Sequence, residues 1–384
     1  PLGLDIEADS ARQILSAVAS GMIAFTGLVV AVAVVVVQFG AGQYTPRLVL
    51  RFRRDPVVKH ALGIFIAPAL YALVSLSDVG GAGDPTVPNL TTAIAVVLLV
   101  LAVGAFFLLV AGLLDLLRPR RLFAQLAAAG ERAIDDVYPH PYGADLQVPA
   151  ELPPVTEVIP YRGSSGVLSA LDHDRLVEAA SAAGGMIEVA WGVGAFVRHD
   201  GPLFSMRGAI SPVSSKWLAS AAIIAEERTL TQDPAFAMRT IVDIALRALS
   251  PAVNDPTTAV QALDALELLL LRLAGRDLGG GHLHDAAGRL RVVYPAADWD
   301  DLLGLACTEI RYYGAGAHQV TRRLRALLDG LIEDTPSERH AAVREQLALL
   351  DDAISRAHPD PAEQAVARVA DHVGLGGHAT GPAG

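Results

Sequence analysis

The sequence predicts a membrane α-helical region with three spans in this chain and one more upstream, followed by a cytoplasmic α+β domain that is mainly helical.

 Three observations carry that prediction. The 384 residues are 52% hydrophobic and only 18% charged, whereas soluble domains usually carry about 25% charged residues. Charge-free runs occupy 13–46, 61–77 and 85–114, and no comparable run follows Arg118. Beyond that point, short alternating stretches and amphipathic helices are punctuated by Asp-Pro and Asp-Gly turns.

A bilayer core about 30 Å thick takes roughly 17–25 apolar residues as helix, so the first and third runs are ample and the second is marginal. The expected spans within region 1–121 are therefore 14–40, 61–77 and 90–114. Small residues at Ser20, Ala24, Gly27 and Ala31, with Val34 beyond them, let helix backbones approach closely in lipid. A well-packed span explains this stripe; the sharper alternative is that these five residues line an oligomeric pore. Pro46 ends or kinks the first span, and Pro68 lies inside the second. No Asp, Glu, Lys or Arg falls within a span, which argues against an ion-coupled carrier and leaves a passive pore closed by a Val-rich constriction.

Loop charges set the orientation. Arg47, Arg51, Arg53, Arg54 and Lys59 face Asp55 alone, and Arg118, Arg120 and Arg121 follow the third span, whereas Asp78 and Asp84 stand without a cation between the second and third. Positive loops stay cytoplasmic, so everything after Arg118 is expected inside a bacterial inner membrane and Pro1 outside. The first twelve residues carry Asp5, Glu7 and Asp9 and lack a signal-peptide pattern, which is why an upstream span is expected. The single cysteine, Cys307, excludes an internal disulfide and a cysteine zinc cage.

Four segments follow. Residues 122–165 read as a helix and a Pro-rich linker, 166–212 as a small β-containing subdomain, 213–372 as helices, and 373–384 as a disordered tail. The β segment includes a helix near 172–183 and a turn at Asp200-Gly201. Helices are predicted over 214–230, 234–249, 256–274, 299–313, 317–332 and 337–357, with one strand at "RLRVVY".

The stretch "ALRALSPAVNDPTTAVQAL" interrupts this helical pattern. Pro251 ends one helix near Leu249, while Asp255 and Pro256 supply the cap and first position of the next; Asp233 and Pro234 repeat the device upstream. Glu226, Glu227 and Arg228 are placed on the preceding helix, and Asp243 and Arg247 share a face. Arg228, Asp233, Asp243, Arg247, Ser250, Asn254 and Asp255 thus form a cluster, read first as a buried ion-pair network and second as a ligand site.

Elsewhere, "GHLHD" sets His282 and His284 beside Asp285, but no third metal ligand or HExxH accompanies them. His199 reads as a turn residue, and Arg322, Arg323 and Arg325 as a solvated face. No GxxxxGK[ST], GxSxG or GxGxxG occurs, so no cofactor, no nucleic acid and no enzymatic activity is expected.

"ERTLTQDPAFAMRTIVDIALRALSPAVNDPTTAVQALDAL", with "QFGAGQYTPRLVLRFRRD" and "GAFVRHDGPLF", resembles the bacterial predicted membrane proteins grouped as domain of unknown function 2254. The resemblance implies multi-pass helices, a cytoplasmic region and a further amino-terminal span; it supplies no catalytic residue. The expected partners are the lipid bilayer, further copies of the chain and other subunits of a membrane complex. The leading expectation is an oligomeric passive channel for ions or small solutes with a cytoplasmic regulatory domain, and the alternative is an accessory subunit anchored by its helices.

Overall fold

A computed structural model describes residues 8–43, 56–78, 89–116, 119–144, 149 and 151–376. The basic loop from Arg47 to Asp55, Asp84 of the acidic loop, Arg118, Pro1 and the last eight residues lie outside this set. The chain divides into two compact units, Pro1–Arg121 and Leu122–Gly384.

Among the described residues, the first unit has three helices, α1 (Ala8–Gln43), α2 (Pro56–Asp78) and α3 (Asn89–Leu116). Its centre is formed by Leu15, Val18, Met22 and Val29 of α1, Phe65, Ala69 and Ala72 of α2, and Ala95, Ala102 and Leu109 of α3. Phe25 meets Phe65 and Phe106 edge-on, with centroids 5.9 and 5.1 Å apart. Many larger apolar side chains point outward instead: Phe107 is 67% exposed and Leu108 77%. Water would penalise such a surface at roughly 25 cal/mol per Å², whereas hydrocarbon does not. Pro68 removes the N–H that the Ile64 carbonyl would use, and Thr26 Oγ1 of α1 donates to the adjacent Phe65 carbonyl at 3.3 Å.

Among the described residues, two helices are long and apolar enough to cross a membrane, over Asp9–Val35 and Leu90–Gly112. The apolar stretch of α2, Gly63–Ser77, is shorter. The expectation of three spans is therefore met at two, the described apolar stretch of α2 falling short of the roughly 17 residues that a bilayer core requires.

The second unit is a mixed helix and sheet domain. It starts with α4 (Pro119–Val137), which presses on the helices below at Gly130, where a Cβ would stand 2.9 Å from Leu269. The strands are β1 (Val155–Pro160), β2 (Gly166–Leu171), β3 (Met186–Val189), β4 (Phe196–Val197), β5 (Pro202–Arg207), β6 (Ala222–Ala225), β7 (Gly281–His284) and β8 (Leu290–Tyr294). Five form a sheet in the order β1-β5-β3-β8-β7, parallel only at β3–β8; the other three form a sheet in the order β4-β2-β6. Helices α5 (His173–Ala182) and α6 (Ser215–Ala219) lie between strands in sequence. The remaining helices are α7 (Pro234–Ala248), α8 (Pro256–Ala274), α9 (Trp299–Gly314), α10 (His318–Asp334), α11 (His340–Ala357) and α12 (Pro361–Ala367).

Two differences from the sequence expectation matter for the site. The predicted helix over 214–230 is instead α6 followed by β6. Ser220 Oγ returns to the Trp217 carbonyl at 2.6 Å, and the β-branched pair Ile223 and Ile224 joins β2. Glu226, Glu227 and Arg228 consequently occupy a loop rather than a helix. The carboxyl end of the predicted Pro-rich linker is β1, which pairs with β5 from Val155 onward.

Candidate functional site

A cleft of about 320 Å³ opens between the end of α4, the Gly192-Val193 turn, the loop before α7 and the segment after β8. Arg228 and Asp233 stand in its wall. Arg228 Nε donates to Asp233 Oδ2 at 2.7 Å and Nη2 to Oδ1 at 3.3 Å, a two-point pairing. Asp233 is 3% exposed and also caps α7, accepting from the Phe236 N–H at 2.9 Å. Burial raises its pKa above the ordinary carboxylate value, opposed by Arg228. The guanidinium fits because Gly194, at φ +92°, has no Cβ; one added there would stand 2.3 Å from Nη2.

The rest of this wall is committed to structure. Tyr138 and Tyr294 donate to the carbonyls of Ala297 and Val137 at 2.6 and 2.8 Å, and burial pushes both phenols upward. Gln232, at φ +52°, ties both ends of its amide to Leu171 at 2.8 and 3.1 Å. The guanidinium of Arg228 thus remains half-exposed in the cleft while paired with Asp233, and the tyrosines beside it are already engaged as donors.

Other members of the sequence-predicted cluster lie apart from this cleft. Asp243 accepts from Arg239 Nε at 2.7 Å, and Arg239 also pairs with Glu309. The Arg247 carbonyl accepts from Ser250 Oγ at 2.7 Å. At the α7–α8 corner, the Val253 and Asn254 N–H groups donate to the Ser250 carbonyl at 3.0 and 2.9 Å, and Asp255 N–H closes onto Ala248 at 2.8 Å. Asn254 adopts φ +49°, a left-handed conformation that Asn tolerates. Asp255 then caps α8, accepting from Thr258 N–H at 3.1 Å and from its hydroxyl at 2.5 Å. Both Asp-Pro pairs thus cap helices, as their local chemistry predicts.

A second cleft, about 500 Å³, is lined by His140, His173, Asp174, Glu178, His284 and Asp285, among others. The rings of His140 and His284 meet edge-on at 5.5 Å, and both ring nitrogens of His284 are buried without a hydrogen-bond partner. Burial lowers the pKa of His173, His282 and His284. Asp285 is committed elsewhere: it accepts from the N–H groups of Ala287 and Arg289 at 2.9 and 3.0 Å and from Arg291 at 2.9 Å. These bonds hold its pKa well below the ordinary value. His199 bonds the Gly163 carbonyl at the β4–β5 turn.

The arginines of α10 are not a solvated face. Arg323 pairs with Asp264 at 2.7 Å and with Glu267, Arg322 donates to the carbonyls of Val369 and Gly376 at 3.1 and 2.8 Å, and Arg325 pairs with Asp351. α10 is flanked by α8, α11 and α12, so its guanidinium groups find carboxylates and carbonyls instead of water. The helix ends near α10 also bring His318, His358 and Glu363 together, a grouping with no sequence signature.

The class defined by these features is a membrane protein with an apolar helical unit and a mixed α+β domain. The chain belongs to the family described as Predicted membrane protein (DUF2254), whose model matches residues 2–330. Uncharacterized proteins of Mycobacterium bovis and Mycobacterium tuberculosis are 30% identical over 376 residues, covering 93% of this chain and 70% of each relative. No solved structure matches.

Proposed function

We propose that the chain forms a homo-oligomer in a bacterial inner membrane, with α1 lining a passive pore for ions or small solutes and the α+β domain regulating it from the cytoplasm. The observation that supports this is a seam of mostly small residues on the broad exposed face of α1, apart from the stripe that packs within the chain. Leu15, Val18, Met22, Phe25 and Val29 pack within the chain. Ser20, Ala24, Gly27, Ala31 and Val34, spaced alternately four and three residues apart, stay exposed. A second seam of small residues suits another helix better than lipid. The positive-inside pattern of the loops supports the cytoplasmic side for the domain.

Gly27→Leu provides the test, because a Cβ at Gly27 meets nothing within 4 Å in a single chain. The expected result is an intact fold, a smaller oligomer in mild detergent and loss of flux in liposomes. Absence of flux from wild-type liposomes under voltage, tension and pH changes refutes the pore. The Arg228 cleft favours a second reading, an accessory subunit that binds a ligand or partner; co-purification of a stable heteromeric complex without intrinsic conductance supports it.

A further inference from the structure

Four helix ends converge on His358: the end of α9 at Ala315, the start of α10 at His318, the end of α11 at His358 itself, and the start of α12 near Glu363. His358 is 6% exposed and held from two sides. Its Nε2 lies 3.0 Å from the Ala315 carbonyl, which only accepts, so Nε2 carries a proton and donates. Gln364 Nε2 donates to the His358 carbonyl at 2.8 Å. In the neutral ring this leaves the Nδ1 lone pair facing Glu363 Oε2 at 3.4 Å, two electron-rich atoms against each other. His318 stacks on His358, with centroids 4.4 Å apart and planes at 17°, and its Nε2 is buried without a hydrogen-bond partner.

We propose that His318, His358 and Glu363 bind a divalent transition-metal cation of the zinc class. A second proton on His358 would answer its contact with Glu363 but leave the His318 nitrogen unmatched; a cation answers both. Two imidazoles and a carboxylate form a donor set suited to zinc, nickel or cobalt, with remaining positions for water. The Ala315 carbonyl acts on His358 as outer-shell acceptors do on metal-bound imidazoles, fixing which nitrogen has the lone pair.

The three ligand atoms lie within 4.8 Å of one another. Tetrahedral ligands at about 2.0–2.2 Å from an ion stand roughly 3.3–3.5 Å apart, so closure needs movement of about 1.5 Å at most. The ring planes are 17° from parallel and stacked, so lone pairs lying in those planes meet at one ion only once His318 turns about its side-chain axis. Its ligating nitrogen has no hydrogen bond to break, and the Glu363 side chain is 55% exposed and able to swing inward. The bound ion would tie α10 to the α11–α12 corner.

The experiment titrates Zn²⁺ into the chelator-stripped full chain in detergent, by calorimetry and by thermal unfolding. Glu363→Gln, His318→Ala and, as a comparison in the other histidine cluster, His284→Ala are measured alongside. The expected result is a saturable site that raises the unfolding midpoint as free Zn²⁺ increases, weakened about tenfold or more by Glu363→Gln and by His318→Ala but not by His284→Ala. Glu363→Gln changes an exposed side chain, so it remains decisive if His318→Ala fails to fold. No saturable binding, or binding that Glu363→Gln leaves unchanged, overturns the proposal.

Discussion

Removing the guanidinium of Arg228 leaves a carboxylate that is 3% exposed without its charged partner. Losing one partner of a buried hydrogen-bonded group costs about 1–3 kcal/mol. Arg228 is itself 40% exposed, and water entering the cleft would solvate part of Asp233, which favours the lower half of that range. The cation over the Phe236 ring, at 5.5 Å, adds about 0.5–1 kcal/mol. Arg228→Ala is therefore expected to destabilise the domain by about 2 kcal/mol, moving the urea midpoint down by roughly 1 M.

The chain's three tryptophans, Trp191, Trp217 and Trp299, all lie in the second unit, so fluorescence of the full chain in detergent reports that unit. Asp233→Asn keeps a capping side chain and removes the buried charge, so the double variant should recover part of the loss. The pH dependence follows the same logic. Asp233 has a raised folded-state pKa, so its contribution is greatest in acid and falls as pH rises above the ordinary carboxylate value. Arg228→Ala should extend that fall to higher pH. A double variant no more stable than Arg228→Ala, or a single variant within about 0.5 kcal/mol of wild type, refutes the account of a buried charge held by Arg228.

Three further outcomes are expected. At the α7–α8 corner, Asp255→Ala should cost about 0.5–2 kcal/mol through its lost cap, and Asn254→Ala about 1 kcal/mol through left-handed strain, while Asn254→Gly stays near wild type in urea unfolding. His284 has a depressed pKa, so its stabilising effect is complete above pH 6.5 and is lost as pH falls through the folded-state value; His284→Phe should flatten stability against pH in that window. Cys307 is buried and its thiol is pushed up to about 12, so maleimide should label the native chain only on unfolding, as read by mass spectrometry at neutral pH.

What was legible depended on how far along the chain each cause reaches. The caps at Asp233 and Asp255 act within three residues, and the Asp-Pro pairs announce them. β6 was not legible, because the Ala-rich run around it favours helix locally and its partner β2 lies some fifty residues earlier in the chain. The same long-range pairing of β6 with β2 creates the loop through which Arg228 folds back onto Asp233. The arginines of α10 showed the same limit: an Arg on a helix reads as solvated until the carboxylates of α8, nearly sixty residues away, are brought against it.

The sequence by itself determined the membrane region and the punctuation of the helices, since apolar length and capping are local properties of the chain. Only the tertiary structure decided which stripe of α1 is used internally, which charges are buried in pairs, and that His318, His358 and Glu363 meet. Those outcomes depend on packing between segments distant in sequence, where burial converts ordinary side chains into groups that must find a partner.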